Sequence, residues 1–198
     1  MNWLQFLQQF FSRNMETGAV AASSDGLAEL ITDFASVDKA AAVVELGPGT
    51  GVFTEKILEK MPHDAVFFAL EVNPLFVAAT RKRCPRSRVF HDSAAHARRY
   101  LDELGIDHCD VVVSGLPWAS FPDELQNEIL DAVLDVLRPG GTFVTFAYRR
   151  GAYLQPSLKF QRKLHNRFCD VERSHTVWRN IPPAFVYRAR TEYLPPTG

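Results

Sequence analysis

Apolar and polar residues follow two alternating rhythms along the chain: short continuous apolar runs, and stripes spaced by three or four residues. The runs suit strands covered on both faces, and the stripes suit the helices that cover them. Residues 40–46 are the first run, and residues 52–60 the helix after it, stopped by Pro62. Residues 65–70 make a second strand ended by Glu71. Asn73 and Pro74 then cap and start a helix that closes on Arg81-Lys82-Arg83. Residues 88–90 form a short third strand and 109–114 a fourth. A helix starting at Pro122 or Asp123 runs through Ile129, Val133 and Leu137 until Arg138-Pro139-Gly140-Gly141 ends it, and residues 142–147 are strand five. A basic helical stretch over roughly 157–168 precedes two strands, about 171–177 and 184–192, joined at Arg179-Asn180-Ile181-Pro182-Pro183. Strand–helix alternation that closes on two strands with no helix between them predicts an α/β fold: a doubly wound, mostly parallel, seven-stranded sheet with a C-terminal antiparallel hairpin.

Two helical patterns precede the sheet. In residues 2–13, Trp3, Leu4, Phe6, Leu7, Phe10 and Phe11 fall on one arc of roughly 160°, opposite Asn2, Gln5, Gln8, Gln9, Ser12 and Arg13. Such a helix either packs on the domain or lies in a membrane surface, a boundary that Trp and Phe favour. With Arg13 its lone charge, it would depend on apolar insertion more than on electrostatics. Residues 14–22 are small and loop-like. Ser24 then caps a second helix with Leu27, Leu30, Ile31 and Phe34 as its buried stripe. Residues 1–36 thus read as an N-terminal helical segment, and 37–198 as one cofactor-binding domain.

Composition narrows the class. With 22 Lys and Arg against 23 Asp and Glu, the net charge of −1 sets up no general field for nucleic acid. Two basic runs stand out locally, Arg81 to Arg88 and Arg149 to Arg167, either solvated faces or binding surfaces. Cys84, Cys109 and Cys169 lack disulfide or zinc spacing and fit a reducing cytoplasm; no metal site is expected. No apolar run is long enough to span a bilayer.

Chemistry concentrates where the first strand breaks into Glu45-Leu46-Gly47-Pro48-Gly49-Thr50-Gly51. Glycine lets the backbone turn sharply and lets a ligand approach where a Cβ would collide. The next helix points free N–H groups and its positive dipole end into the same gap. Val52 stands where a dinucleotide fingerprint needs its third glycine, and no lysine completes a phosphate loop. Glu45 suits a cationic amino-acid cofactor better than a pyrophosphate. Glu71 lies 20 residues after Gly51, where a carboxylate can accept from both ribose hydroxyls.

The E-x-G-x-G-x-G pattern resembles the first motif of the Rossmann-like class I methyltransferases that use S-adenosyl-L-methionine (SAM). That resemblance implies a cofactor site built from Glu45, Gly47, Pro48, Gly49, Gly51, Glu71, Val72, Asp92, Ser93 and Ser114, with Asp92 accepting from the adenine amino group. The loop from Ser114 to Trp118 would then abut the methyl group.

Two families compete for the acceptor. Val44 to Gly51 looks like the corresponding stretch of the ribosomal RNA adenine dimethylases, whose acceptor loop reads N-L-P-Y. Here Gly115 replaces the Asn that engages the base, and Trp118 the Tyr. A closer resemblance is to the bacterial phospholipid N-methyltransferases. It rests on Gly18 to Ser24, on Ser114-Gly115-Leu116-Pro117-Trp118-Ala119-Ser120-Phe121-Pro122, and on Val177-Trp178-Arg179-Asn180-Ile181-Pro182-Pro183-Ala184-Phe185-Val186-Tyr187. It implies stepwise methylation of phosphatidylethanolamine-type lipids, or of another small-molecule amine, by a cytoplasmic enzyme touching the inner membrane face through residues 2–13. Nucleic acid is the less favoured partner. Trp118, Ser114, Tyr148 and Tyr187 are the catalytic candidates: the tyrosines to take the amine proton, Trp118 to face the developing cation. A non-catalytic membrane- or protein-binding module is the alternative from another class. Glu45, Glu71 and Asp92 argue against it, since an inactive site need not keep them.

Overall fold

The hydroxyl of Ser24 accepts from the backbone N–H of Leu27 and starts helix α1, Asp25–Ala35. The structure is a computed structural model that describes residues 23–193; the amphipathic pattern over 2–13 lies outside them. Leu27 and Ile31 are fully buried, while Leu30 and Phe34 lie at the edge of the same apolar layer. That layer also holds Val43, Val111, Val144 and Val186, so α1 packs directly on the sheet.

The remaining elements are β1 Ala42–Leu46, α2 Val52–Lys60, β2 Val66–Glu71, α3 Pro74–Arg83, β3 Val89–His91, α4 Ala97–Glu103, β4 Cys109–Ser114, α5 Asp123–Val136, β5 Leu137–Tyr148, α6 Gln155–Arg167, β6 Asp170–Arg173 and β7 Ala184–Arg190. The strands form one seven-stranded sheet in the order β3-β2-β1-β4-β5-β7-β6, with β7 antiparallel to both β5 and β6. This is the expected doubly wound architecture with its closing hairpin. Every residue of β1 is buried, as a central strand between two helical layers requires. The order reverses between β1 and β4, so the carboxyl ends of these two strands frame the crevice where such sheets bind ligands.

Three elements depart from the pattern-based expectation. Helix α4 carries charge at Arg98, Arg99, Asp102 and Glu103 and buries only Ala97, Tyr100 and Leu101, too few positions to make a stripe. Strand β5 begins at Leu137 rather than at residue 142. While β4 advances from Cys109 to Val111, β5 advances from Leu137 to Thr142, and that bulge absorbs Pro139 and its missing N–H. Strand β6 ends at Arg173, with a single further bridge between Val177 and Ala184.

Candidate active site

The glycine turn follows β1 with positive φ at Gly47, Gly49 and Gly51 (71°, 58° and 82°), a region that side chains strain to enter. Its anchors are two backbone bonds and one side-chain hydroxyl. Gly47 N–H donates to Leu70 O at 2.9 Å, Gly51 N–H to Pro48 O at 2.9 Å, and the Thr80 hydroxyl to Gly49 O at 2.7 Å. A Cβ at Gly47 would meet the Leu116 side chain at 2.6 Å, whereas one at Gly49 would meet nothing within 4 Å. The turn is therefore packed behind and open in front of Gly49.

Glu45 is fully buried beneath this turn and accepts from the Thr54 hydroxyl at 2.6 Å. Burial pushes its carboxyl up to about 8, and the nearby Glu71 adds to that shift. Its Oε1 has no hydrogen-bond partner among the described residues. Glu71, at the end of β2, is also buried; its Oε1 accepts from Asn73 N–H (2.9 Å) and its Oε2 from Gly49 N–H (3.2 Å). Burial raises its carboxyl above the usual range, partly offset by those N–H groups. Two backbone bonds leave lone-pair positions on this carboxylate for further donors.

Asp92, just past β3, is bracketed. Its Oδ1 lies 2.7 Å from Ser93 N–H and 2.8 Å from His96 Nδ1, and its Oδ2 accepts from the Tyr100 hydroxyl at 2.9 Å. Burial pushes this carboxyl up, but the bonds from His96, Ser93 and Tyr100 outweigh it and hold Asp92 below the usual range. Val72 is buried, with its carbonyl 2.9 Å from His91 Nε2, and the Ser93 hydroxyl caps the short turn Ala94–His96. The glycine turn and the residues at the ends of β2, β3 and β4 thus share one end of the sheet.

The acceptor loop is placed differently from what its residue types suggested. Trp118 is only 3% exposed, its ring stacked on Phe160 (centroids 4.8 Å apart) and its indole N–H donating to Ser114 Oγ at 3.0 Å. It offers no free face to a substrate cation and instead supports Ser114, which is itself buried. Tyr148 and Tyr187 lie in apolar layers on opposite faces of the sheet, so they do not converge on one amine. Burial raises both hydroxyls, which keeps them neutral phenols rather than bases at physiological pH. Gly115 packs backbone to backbone: its N–H donates to Leu46 O at 2.8 Å, and a Cβ there would stand 2.4 Å from Gly47 O.

Several supporting residues carried no sequence signal. Thr54, Thr80, His96 and Tyr100 reach the site only through tertiary contact, nine to thirty-one positions from their partners in the first two cases and four to eight in the others.

With this geometry established, comparison with known proteins supplies the class. Residues 43–141 match the family described as "Methyltransferase domain". The chain is also 33% identical to an ornithine lipid N-methyltransferase of Singulisphaera acidiphila over 188 residues, covering 93% of this chain and 94% of that protein. The chain belongs to the class I SAM-dependent methyltransferases; it is an enzyme, and SAM is its cofactor. Among solved structures, it resembles the O-methyltransferase of Bacillus cereus in complex with SAH (TM-score 0.68, 12% identity, 93% of this chain and 90% of that one). It likewise resembles the N-methyltransferase NodS of Bradyrhizobium japonicum (TM-score 0.62, 15% identity, 84% and 93%). At such identities these two likenesses speak to fold alone.

Proposed function

We propose that the protein methylates the primary amine of a membrane aminolipid, of the phosphatidylethanolamine or the ornithine-lipid kind. The observation that carries this reading is the near full-length kinship with a lipid N-methyltransferase. The cramped Gly115 adds to it, since that position cannot carry the amide with which an adenine-methylating loop reads its base.

In this reading the open front of Gly49 receives the cofactor. The spare lone pairs of Glu71 take the ribose hydroxyls, and Asp92 and Ser93 sit at the adenine end. The unpartnered Oε1 of Glu45 gives the turn a buried acceptor beneath a cationic group. Bound SAM supplies a methyl group already activated on a positively charged sulfur. The protein's own work is then to orient and dry the amine. The Ser114 to Trp118 loop forms a rigid apolar wall, because Trp118 is locked between Ser114 and Phe160. An alkyl ammonium with a pKa near ~10 must lose a proton to water before attack, and an apolar wall that destabilises the charged form promotes that loss. Tyr148, at the carboxyl end of β5, can accept a hydrogen bond from the amine as a neutral phenol. Arg149 and Arg150 follow it and suit an anionic headgroup.

The test is to supply methyl-labelled SAM with vesicles of phosphatidylethanolamine, vesicles of ornithine lipid, or ribosomal RNA. Label in either lipid supports the reading and chooses between the headgroups. Label in RNA alone refutes it.

A further inference from the structure

Six large hydrophobic residues are strongly exposed among the described residues: Leu75, Tyr153, Leu154, Trp178, Ile181 and Tyr193. All but Tyr193 lie at the end of the sheet where the glycine turn and the acceptor loop open. Register fixes this. Strand β5 runs parallel to β4 and finishes at Tyr148, which pairs with Ala184, the first residue of the antiparallel β7. Both the turn after Tyr148 and the connection from β6 to β7 therefore project from the carboxyl end, tied together by Arg149 N–H donating to Pro183 O at 2.8 Å.

Four of these residues form one rim. Trp178 (64% exposed) and Ile181 (77%) tip the connection into β7, and Tyr153 and Leu154 lie in the turn after β5 that Arg149 ties to it. Cations are interleaved with them: the Arg149 guanidinium sits 4.5 Å over the Trp178 ring, and Arg150 and Arg179 are exposed without an ion-pair partner among the described residues. The chain segment that precedes α1 also meets the fold here, because the buried Asn180 side chain accepts from Ser24 N–H at 2.9 Å.

We propose that this rim, from Trp178 to Ile181 with Tyr153 and Leu154, is a membrane-docking surface that seats the catalytic end of the sheet on an anionic bilayer. The proposal rests on the aminolipid reading above. Exposed tryptophan, tyrosine and aliphatic tips favour the region between headgroups and acyl chains, and the adjoining arginines match anionic lipid phosphates. Rim and acceptor loop face the same way, so docking brings a headgroup to the site without lifting the lipid out of the bilayer. The contact is additional to any made by residues 2–13.

The full chain is tested on vesicles of phosphatidylcholine containing phosphatidylglycerol and on phosphatidylcholine alone. Trp178→Ser with Ile181→Ser should weaken partition onto the anionic vesicles by about tenfold or more. Thermal midpoint, SAM affinity and turnover of a short-chain aminolipid dispersed below its micelle concentration should not change. Unchanged partition overturns the rim. As a measurement on an unaltered rim, Trp3→Phe leaves Trp118 and Trp178 as the emitters; brominated acyl chains should quench this protein, and a further Trp178→Phe should abolish the quenching. Absence of quenching in the Trp3→Phe protein also overturns the proposal. If the wild-type protein fails to methylate the dispersed aminolipid, the function falls, whereas the partition and quenching results alone decide the rim.

Discussion

Gly115 and Gly47 touch backbone to backbone, so that a Cβ on Gly115 would lie 2.4 Å from the Gly47 carbonyl oxygen. This contact locks the loop after β4 to the glycine turn. The Gly47 carbonyl is main chain in a residue whose N–H is bonded to Leu70 O and whose Cα packs against Leu116, and it has no flexible tip that could move aside. Gly115→Asn, which would rebuild the loop of an adenine methylase, should therefore cost about 1–3 kcal/mol through overpacking and weaken SAM binding. Chemical denaturation and calorimetry check it. A variant of wild-type stability that gained activity on RNA would show that the backbone contact is not obligatory.

Glu71 holds the glycine turn and, in the function proposed above, also takes the ribose. Its oxygens hold the N–H groups of Gly49 and Asn73, which fixes the turn before any ligand arrives. Glu71→Gln turns one acceptor into an NH2 group facing a donor. It should lose about 1–3 kcal/mol of stability and, with the ribose contacts, at least about tenfold in SAM affinity. An unchanged dissociation constant would remove this residue from the cofactor site.

These two cases show what the sequence made legible. Apolar runs and glycine spacing located β1, β2, β4 and the glycine turn, because period and backbone freedom are local properties. The ends of β2 and β3 also gave Glu71 and Asp92 as acids at one edge. The burial of Trp118 was not legible, because an indole in a loop reads the same whether it faces solvent or stacks on Phe160, a residue forty-two positions away. Likewise the strand period gave no warning that Tyr148 and Tyr187 fall on opposite faces, since that depends on the β5–β7 register.

Glu45 predicts a pH dependence of the protein without cofactor. Its carboxyl is raised to about 8 in the fold, against 4.5 for the ordinary value. Below that ordinary range it is protonated in both folded and unfolded chains. Between there and about 8 only the folded chain keeps the proton, so stability falls as pH rises through this window and levels off above it. Glu71, raised by the same cause, acts in the same direction. Glu45→Gln, which can still accept from Thr54, should flatten the decline in thermal midpoint from pH 5 to 9. Identical slopes in both proteins would mean that Glu45 is ionised in the fold.

Trp118→Phe separates packing from substrate contact. The change removes the indole N–H bond to Ser114 and part of the stack on Phe160, which should cost about 1–3 kcal/mol. Turnover and KM for the acceptor should stay within a few-fold when measured well below the melting temperature. A KM that rises steeply at unchanged stability would return the ring to the substrate.

Deleting residues 1–13 gives the sharpest separation of the membrane contributions. The described fold begins its own core at Leu27, and α1 is capped by Ser24, which Asn180 holds from outside the deleted stretch. SAM affinity should therefore survive. The aromatic arc of Trp3, Phe6, Leu7, Phe10 and Phe11 carries side chains worth about 1.5–3 kcal/mol each when buried in an apolar environment. If that environment is a bilayer, vesicle binding and lipid methylation fall together, while a weaker binding that prefers anionic lipid persists through Trp178 and Ile181. If the arc instead packs on the domain, the deletion exposes its partner surface and the thermal midpoint drops, with vesicle binding little changed. An RNA-directed enzyme would differ from both, its binding indifferent to vesicles and weakened by salt through the basic runs. A membrane role for residues 2–13 requires the first pattern, and a truncated protein that methylates vesicle lipid at the full rate would show that residues 2–13 do not deliver the substrate.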